Sequence, residues 1–554
     1  MKKFASNKIG RTIINLLITL AAGGVYFYVT LPAINLQDTA FYSFFFMLSA
    51  LYCGLSIVSQ GLHLAEDGRS LWQGIKAHCA IPVFLCLGLV AVYGVGAFLS
   101  SPVIRAGAYR ELLTVETGEF EKEVDEISFD QIPMLDEDSA KRLGDRKMGE
   151  LADMVSQFEV AADYTQINYK GRPVRVTPLL HGDLIKWFNN RSEGLPAYLI
   201  IDMVTQNVEL VRVSDVCPGE TGMKYSTAEH FGRNLIRHLR FNYPTFMFDP
   251  AMFEIDEEGV PYWVCPRVVK RVGLLGGKDI DGAVLVNAVT GESLYYGRDE
   301  VPSWVDRVYT SEMIIQQYDY YGTYVNGFVN SIFGQRDCTV TTAGYNYIAI
   351  GDDVHMYTGI TSLGADESNI GFILVNQRTK DAKFYSIAGA EEYSAMASAR
   401  GAVQHLGYTS TFPLLLNIAS SPTYIMALKD SAGLVKMYAM VSVQQYNLVA
   451  TAETVAECDR RYLALLQEHG LVEDAGLSEV YDTITGEIED LRSAVIDGNT
   501  VIYLKLEGSE VYYTVQAADN PIAVIINIGD RVRLRYLPGD GIIIAASELE
   551  LIAD

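Results

Sequence analysis

Three long stretches without a charged side chain open the chain. Residues 12–37, 39–65 and 77–104 contain no Asp, Glu, Lys or Arg. A helix rises about 1.5 Å per residue and the hydrocarbon core of a bilayer takes roughly 20 residues, so each stretch is long enough to cross it. Lipid offers the backbone no hydrogen-bond partners, and each stretch is therefore predicted to be helical. We predict a three-span membrane anchor over residues 1–104.

The basic residues beside these stretches predict which side of the membrane the rest of the chain occupies. Lys and Arg in short flanking segments favour the cytoplasm. Six lie on the N-terminal side of the predicted bilayer and two on the other: Lys2, Lys3, Lys8, Arg11, Arg69 and Lys76 against Arg105 and Arg110. We expect a multi-pass protein of the cell membrane with a cytoplasmic N terminus and residues 105–554 outside the cytoplasm. A cleaved signal peptide is the alternative for the first stretch, but two further spans follow it.

Beyond the anchor, alternating apolar and polar positions predict hairpins in a recurring order. In residues 166–300 a hairpin at 199–213 precedes a helix at 227–239 and a second hairpin. Residues 344–452 repeat that order, with the helix at 390–406. A helix must bury its apolar stripe, and an antiparallel sheet is its natural cover. We predict an α+β fold in which one antiparallel-sheet-plus-helix domain occurs twice.

The remaining segments connect these domains. Residues 105–165 form an acidic region, predicted to contain a strand pair at 112–120 and a helix at 138–160. Residues 301–343 are rich in Trp and Tyr and predict a helical connector that packs between domains, with an exposed partner surface as the alternative. Residues 453–478 predict a helical linker.

Residues 479–554 read as a separate β-barrel module. Five short strands are predicted, separated in part by turns at 497–499 and 539–541; they lie at 486–496, 500–506, 511–515, 531–537 and 542–551. Five strands in so short a span are typical of a small OB- or SH3-like barrel. Arg531, Arg533 and Arg535 alternate with apolar residues and so share one strand face. They are a candidate surface for an anion, a lipid headgroup or a partner, or a solvated face paired with acidic neighbours.

Composition narrows the chemistry. The 554 residues carry a formal net charge of −25, which would repel a phosphate backbone and argues against nucleic acid as a partner. The 34 Tyr favour β structure. The seven Cys include no CxxC pair, and the eight His lack metal-ligand spacing, so we predict neither a metal site nor a cofactor. Disulfides remain open among Cys217, Cys265, Cys338 and Cys458. No catalytic constellation can be assembled, which leans against an enzyme.

One hairpin carries a resemblance to a known domain type. Residues 285–296, LVNAVTGESLYY, are similar to the strand–Asp-x-x-Thr-Gly-Glu–strand hairpins of PepSY-type domains, with Asn287 in place of the acid. Residues 200–208 resemble them more loosely, with Gln206 in place of the Gly. The resemblance implies cystatin-like extracytoplasmic modules, some of which are associated with peptidase inhibition. Residues 302–309 and 412–418 are similar to uncharacterised multi-pass membrane proteins of Gram-positive bacteria, which bring no assigned activity.

These observations lead to one functional expectation and two alternatives. We expect a non-enzymatic scaffold or binding protein, held in the bilayer, that assembles with copies of itself or with other membrane or envelope proteins. One alternative is an envelope enzyme or a peptidase regulator with a cleft around Asp352, Asp353 and His355. The other is an accessory subunit of a membrane transport complex.

Overall fold

The computed structural model describes residues 8–61, 68–124, 132–152, 154–364, 368–471, 482–496, 499–517, 520–536 and 542–552. The chain divides into two compact units. Unit 1 comprises residues 1–118 and 135–386, and unit 2 comprises residues 119–134 and 387–554. The predicted turn at 539–541, and residues 497–498 of the other predicted turn, lie outside the described residues, as do Lys2, Lys3 and part of the 453–478 linker.

Three apolar helices begin unit 1, as predicted. They are α1 Lys8–Thr30, α2 Thr39–Gly61 and α3 Gly68–Leu99. Each contains a segment long and apolar enough to cross a membrane, namely Ile9–Thr30, Thr39–Ser59 and His78–Leu99. Most of their large apolar side chains are not covered by other parts of the protein, as expected for helices surrounded by lipid. The prediction of a membrane protein with three apolar N-terminal helices is supported by these lengths and compositions.

The region after the third helix differs from its prediction. It contains α4 Pro102–Arg110, β1 Val115–Gly118, α5 Phe120–Glu123 and α6 Glu137–Gly149. The strand pair predicted at 112–120 is wrong, because only β1 is a strand there. The helix predicted at 138–160 begins one residue earlier, where Asp136 accepts a hydrogen bond from the Ser139 amide (3.2 Å), and it ends at Gly149. Residues after it join a sheet instead.

Unit 1 contains three large sheets. Sheet 1 has β2 Phe158–Val160, β3 Thr165–Tyr169, β4 Arg172–His181, β5 Ala197–Asp202 and β6 Val208–Arg212, with α7 Leu184–Asn190 inserted after β4. After α8 Val213–Val216 and α9 Leu235–Asn242, sheet 2 has β7 Met247–Phe248, β8 Met252–Ile255, β9 Pro261–Val272, β10 Gly276–Asn287 and β11 Ser293–Gly297. After α10 Ser311–Thr323 and α11 Gly327–Phe333, sheet 3 has β12 Thr339–Thr341, β13 Asn346–Ile350, β14 Asp353–Ser362, β16 Gly371–Asn376 and β17 Ala382–Tyr385. The two-residue strand β15 is Ser368–Asn369, and β1 extends sheet 3 by parallel pairing with β17.

Unit 2 contains a fourth large sheet and the C-terminal strands. After β18 Gly389–Ala390 and α12 Glu392–Ala402, sheet 4 has β19 Thr409–Ser410, β20 Leu414–Ile418, β21 Ser421–Lys429, β22 Val435–Ser442 and β23 Val449–Ala452, and α13 Val455–Glu468 follows it. The last strands are β24 Asp482–Ile496, β25 Asn499–Leu506, β26 Tyr512–Gln516, β27 Arg531–Tyr536 and β28 Ile543–Leu551. Their pairing runs β24-β25-β26-β28-β27 and returns to β24. The OB- or SH3-like class stays a prediction.

The four large sheets share one pairing order. In each, two short strands both pair with the third strand, and the fourth and fifth follow as an antiparallel meander. A helix precedes each sheet in the chain: α6, α9, α11 and α12 in turn. The helix predicted at 227–239 before sheet 2 is displaced. Its regular part begins after Asn234, whose side chain accepts from the Arg237 amide (3.2 Å).

The turn between the last two strands is also the same in sheets 1 to 3. An Asx side chain accepts a hydrogen bond from the amide of a Thr three residues later: Asp202 from Thr205 (2.8 Å), Asn287 from Thr290 (2.9 Å) and Asn376 from Thr379 (3.0 Å). The residue after each Thr has positive φ. Gly291 suits this conformation, whereas Gln206 and Lys380 adopt it at a cost. The hairpin predicted at 285–296 is therefore one of three alike.

Two apolar cores lie on the two faces of sheet 2. One contains Ile167, Val176 and Tyr198 of sheet 1 together with Cys265 and Val284. The other is built from Val264, Ile280 and Leu285 of sheet 2, Met313, Ile314 and Tyr318 of α10, and Met356 and Val375 of sheet 3. The aromatic connector thus packs in the interior of unit 1 through α10.

Candidate functional site

A polar face crosses the interior of unit 1 between sheets 1 and 3. Gln166 and Asn168 alternate along β3 with the core residue Ile167, so they point to the opposite face. Arg175 of β4 stands across from Gln166 in the strand register. All three are buried, at 1%, 7% and 7% exposure. Buried polar groups need partners. Other elements supply them to Asn168 and Arg175, whereas neither end of the Gln166 carboxamide has a partner among the described residues.

Two buried carboxyl groups join that face to the other sheets. Glu254 of β8 is fully buried and accepts hydrogen bonds from the backbone amides of Asp306 (2.9 Å) and Arg307 (3.1 Å). Asp306 in turn accepts from the Asn168 amide at 2.7 Å. The Asn168 side chain donates to the carbonyl of Gly351 in sheet 3 (3.1 Å). We call Glu254 and Asp306 the acid pair. It connects all three sheets of unit 1.

Neither member of the acid pair has a cation bound directly to its carboxyl oxygens among the described residues. Burial raises the pKa of Glu254 to about 8. Burial, and then the neighbouring Glu254, raise the pKa of Asp306 to about 9. Both shifts follow from the cost of charge in a poorly solvated interior. Both carboxyl groups therefore keep their protons to higher pH than an ordinary Glu or Asp does.

A second group of acids is paired conventionally. Asp353 accepts two hydrogen bonds from Arg378, one from Nε (2.7 Å) and one from Nη2 (2.8 Å), and a third from the Asn376 side chain (2.8 Å). Burial opposes ionisation, but the Arg378 bonds outweigh it and lower the pKa of Asp353. Burial lowers the pKa of His355, whose Nδ1 lies 3.3 Å from the Asp353 carbonyl. Both carboxylate oxygens of Asp353 are engaged, so this arrangement is that of a structural ion pair.

The loop between the first two apolar helices is hydrogen-bonded to the sheet-containing part of unit 1, residues 135–386. The Arg240 guanidinium, 7% exposed, donates to the carbonyls of Leu31 (2.9 Å) and Phe246 (2.6 Å). The Ile34 amide donates to the Pro244 carbonyl at 2.8 Å. The Gln37 side chain bonds both the amide and the carbonyl of Lys270, each at 3.2 Å. These contacts fix the loop to α9 and sheet 2.

The end of the third apolar helix meets the same sheet. The Ser100 hydroxyl accepts from the Leu275 amide (3.1 Å), and the Ser100 carbonyl accepts from the Tyr109 hydroxyl (2.7 Å). Gly273, at φ +62°, lies so close that a Cβ there would be 2.4 Å from the Ser100 hydroxyl. The tip of the β9–β10 hairpin is thus shaped to receive this helix end.

The three arginines singled out from the sequence lie on β27. Val532 and Leu534 point inward at 0% exposure, and Arg531 and Arg533 point outward. Arg533 forms an ion pair with Glu550 at 3.1 Å. Arg531 stands across from Glu487 in the strand register. This acidic surrounding favours the solvated, paired face over a free anion site.

The cysteines and the possible metal ligands are the remaining candidates for a functional site. All seven cysteines are free thiols, so the disulfides left open among the four soluble ones are not formed here. No three His, Cys, Asp or Glu among the described residues are arranged to hold a metal ion.

The acid pair was not predicted from the sequence. The local sequence gives little signal: Glu254 lies between Phe253 and Ile255, but acids follow at 256–258, and Asp306 is next to Arg307.

Comparison with known proteins adds no relative to this picture. No protein-family model, no curated protein and no solved structure matches the chain. The resemblance to PepSY-type domains therefore stays a prediction that rests on the hairpins themselves.

Proposed function

We propose that this chain is a membrane-anchored, non-enzymatic scaffold or binding protein that presents repeated α+β modules outside the cytoplasm. The observation that carries the proposal is the pairing order shared by the four large sheets, each preceded by a helix. A module used repeatedly builds an extended surface for partners, as in other repeat proteins. The helix-before-meander order also supports the cystatin-like resemblance. The same pairing order thus recurs four times, whereas the sequence predicted a domain that occurs twice.

The attachment of the apolar helices supports the proposed sidedness. The α1–α2 loop bonds unit 1 through Leu31 and Gln37, and the end of α3 bonds it through Ser100. Three crossings bring these two points to the same face of a bilayer and leave the N terminus on the opposite face. Combined with the basic flanks of the N-terminal side, this favours an extracytoplasmic location for residues 135–386 of unit 1.

The use of the buried acids supports a non-enzymatic role. Glu254 and Asp306 accept backbone hydrogen bonds, and Asp353 is held by Arg378. A general acid or base must reach a substrate proton, and these carboxyl groups are engaged in joining strands instead. The closed pairing of the C-terminal strands supports an OB- or SH3-like terminal module.

Purification from native membranes in mild detergent tests the proposal. The scaffold role predicts a particle larger than one chain plus its micelle, either a homo-oligomer or a complex with other envelope proteins identified by mass spectrometry. A monomer that carries no partner would contradict it. For sidedness, protease added to intact cells should digest the C-terminal half, and an untouched C-terminal half that is lost only from opened cells would overturn the extracytoplasmic assignment.

A further inference from the structure

We propose that α7, the turn at Phe231–Arg233 and α9 form a surface that lies in the headgroup region of the membrane and binds anionic lipid. We call it the interface surface. Its apolar members are 55–74% exposed: Leu184, Ile185, Phe188, Phe231, Ile236 and Phe241. A patch of large apolar side chains this exposed indicates an interaction site. The inference rests on the membrane anchoring of the proposed function and names the lipid class that unit 1 contacts.

The interface surface is continuous and rigid. The Trp187 indole of α7 donates to the buried Glu229 carboxylate at 2.7 Å, which ties α7 to the turn. Its ring lies 4.6 Å from His230 and 6.0 Å from Phe231. Arg233 donates to the Arg191 carbonyl at the end of α7. The helix α9 follows directly, so the three elements form one face rather than scattered apolar residues.

This surface adjoins the end of a candidate membrane span. The Phe241 ring lies 6.0 Å from Phe27 and 6.3 Å from Tyr28, both in the last turn of α1. The Arg237 guanidinium stands 4.2 Å above the Tyr28 ring. Aromatic residues at the ends of spans occupy the headgroup level. The exposed side chains of α9 are therefore beside the level at which the bilayer ends.

The charge of the surface identifies the lipid. Residues 230–248 contain no Asp or Glu, in a chain whose net charge is −25. Of their three Arg, Arg240 is buried against backbone carbonyls, and Arg233 and Arg237 are partly exposed on the interface surface. On α7, Arg191 stacks over the Phe188 ring at 4.0 Å. A basic, aromatic and apolar face is typical of elements that lie in the interface of anionic membranes. Lipid, rather than a protein partner, also explains why this face is continuous with the span.

Fluorescence quenching of the full chain in vesicles tests the inference. Phe188→Trp and Phe241→Trp each add a reporter to the interface surface. Thr205→Trp is the matched control, on an exposed turn at the other end of β4, whose ten residues span about 30 Å. The vesicles contain equimolar phosphatidylglycerol and phosphatidylcholine, with the phosphatidylcholine brominated in its acyl chains. The unchanged melting temperature of each variant verifies folding.

The two interface variants should lose at least about twofold more of their added emission to the brominated lipid than the control does. Quenching equal to that of the control, with the reporters open to aqueous acrylamide, would overturn the inference. Reporters shielded from both quenchers would overturn it in favour of a covering protein. Replacing phosphatidylglycerol with phosphatidylcholine should weaken the quenching of Phe188→Trp, and no change would refute the anionic-lipid part.

This experiment separates the inference from the proposed function. A cytoplasmic unit 1 would fail the protease test yet still bring the interface surface to a bilayer, so quenching would persist. An extracytoplasmic unit 1 without quenching would overturn only the inference. A chain without partners would contradict the scaffold role and leave the lipid contact unaffected.

Discussion

Two buried carboxyl centres in unit 1 are compensated in opposite ways. Asp279 of β10 is 4% exposed and meets a cation, the Lys380 ammonium, at 2.6 Å. The acid pair has backbone amides but no comparable cation on its carboxyl oxygens among the described residues. A buried charge is tolerated when it is paired and hydrogen-bonded, and otherwise the group neutralises. The comparison therefore contrasts an ion pair at Asp279 with raised pKa values at Glu254 and Asp306.

The difference originates in a turn. Lys380 occupies the positive-φ position of the Asx turn in sheet 3, at φ +69°, where sheet 2 has Gly291. A side chain at that position reaches Asp279 and the Leu112 carbonyl (2.9 Å), which a glycine could not do. The shared turn geometry has thus been used in sheet 3 to deliver a counter-ion into the interior. Of the substitutions considered below, the removal of this counter-ion should lower the free energy of unfolding the most.

Lys380→Met should destabilise unit 1 by about 1.5–3 kcal/mol. It leaves the buried Asp279 carboxyl group with only the more distant, half-exposed Arg271 guanidinium, whose Nε lies 3.5 Å from Asp279 Oδ2. The measurement is denaturant unfolding of the full chain in detergent, followed by tryptophan fluorescence, since Trp187, Trp263 and Trp304 all lie in unit 1. Lys224→Met is the control. Lys224 meets Glu220 at the same 2.6 Å, but the pair is partly exposed, so its loss should cost less than about 1 kcal/mol. Equal costs for the two variants would contradict the paired centre.

The acid pair should make stability fall as pH rises. In the unfolded chain both carboxyl groups lose their protons near about pH 4, whereas the folded pKa values are raised to about 8 and about 9. Between these limits the unfolded state binds fewer protons, so the free energy of unfolding decreases with pH. The decline should begin above about pH 4 and continue to about pH 9, as measured by unfolding curves collected from acid to alkaline pH.

Glu254→Gln isolates this effect. The amide has no ionisable proton, so the variant should show a shallower decline of stability with pH than the unmodified chain. The variant should also be less stable at every pH. The NH2 group of the new side chain would face a backbone N–H that donates a hydrogen bond to Glu254 in the unmodified chain. The slope, rather than the offset, carries the test. An unchanged slope would mean that Glu254 is already ionised at neutral pH.

Asp353, in the same unit, should affect the pH dependence of stability in the opposite direction. The Arg378 bonds outweigh burial and lower its pKa, so its contribution to stability is present above the unfolded pKa and is lost as pH falls through the folded pKa. Asp353→Asn should remove about 1–2 kcal/mol at neutral pH and flatten the acid side of the stability curve. The Glu254→Gln variant should leave that acid side unchanged. A common effect of both substitutions on one side of the curve would contradict the comparison.

The elements that could be predicted from the sequence depend on local pattern. A span requires only length and the absence of charge, and the C-terminal strands follow from alternation and turns. The helix predicted at 138–160 is present but shorter, because Phe158–Val160 pairs with β4, a distant partner that propensity does not reveal. The helix predicted at 227–239 fails because Ser226 and Asn234 bond neighbouring backbone amides and favour turns.

The acid pair could not be located from sequence for a related reason. Glu254 and Asp306 are brought together by the packing of sheet 2 against the segment before α10, and Asn168 comes from a third sheet. Only the fold identifies which buried carboxyl groups lack a cation. Lys380, the partner of Asp279, lies about 100 residues along the chain, so local sequence does not distinguish Asp279 from Glu254.

The smallest effect is expected where the ion pair is fully solvated. Arg533 and Glu550 are 54% and 63% exposed on the outer face of the C-terminal strands. Water already stabilises both charges there, so Arg533→Ala should change the melting temperature measured by circular dichroism by an amount corresponding to less than about 1 kcal/mol. The same substitution also tests the candidate anion surface. If Arg533 only pairs with Glu550, then removing it should leave the binding of inorganic phosphate to the full chain unchanged. A marked loss of phosphate binding would instead assign Arg533 to a ligand and separate it from the structural pairs of unit 1.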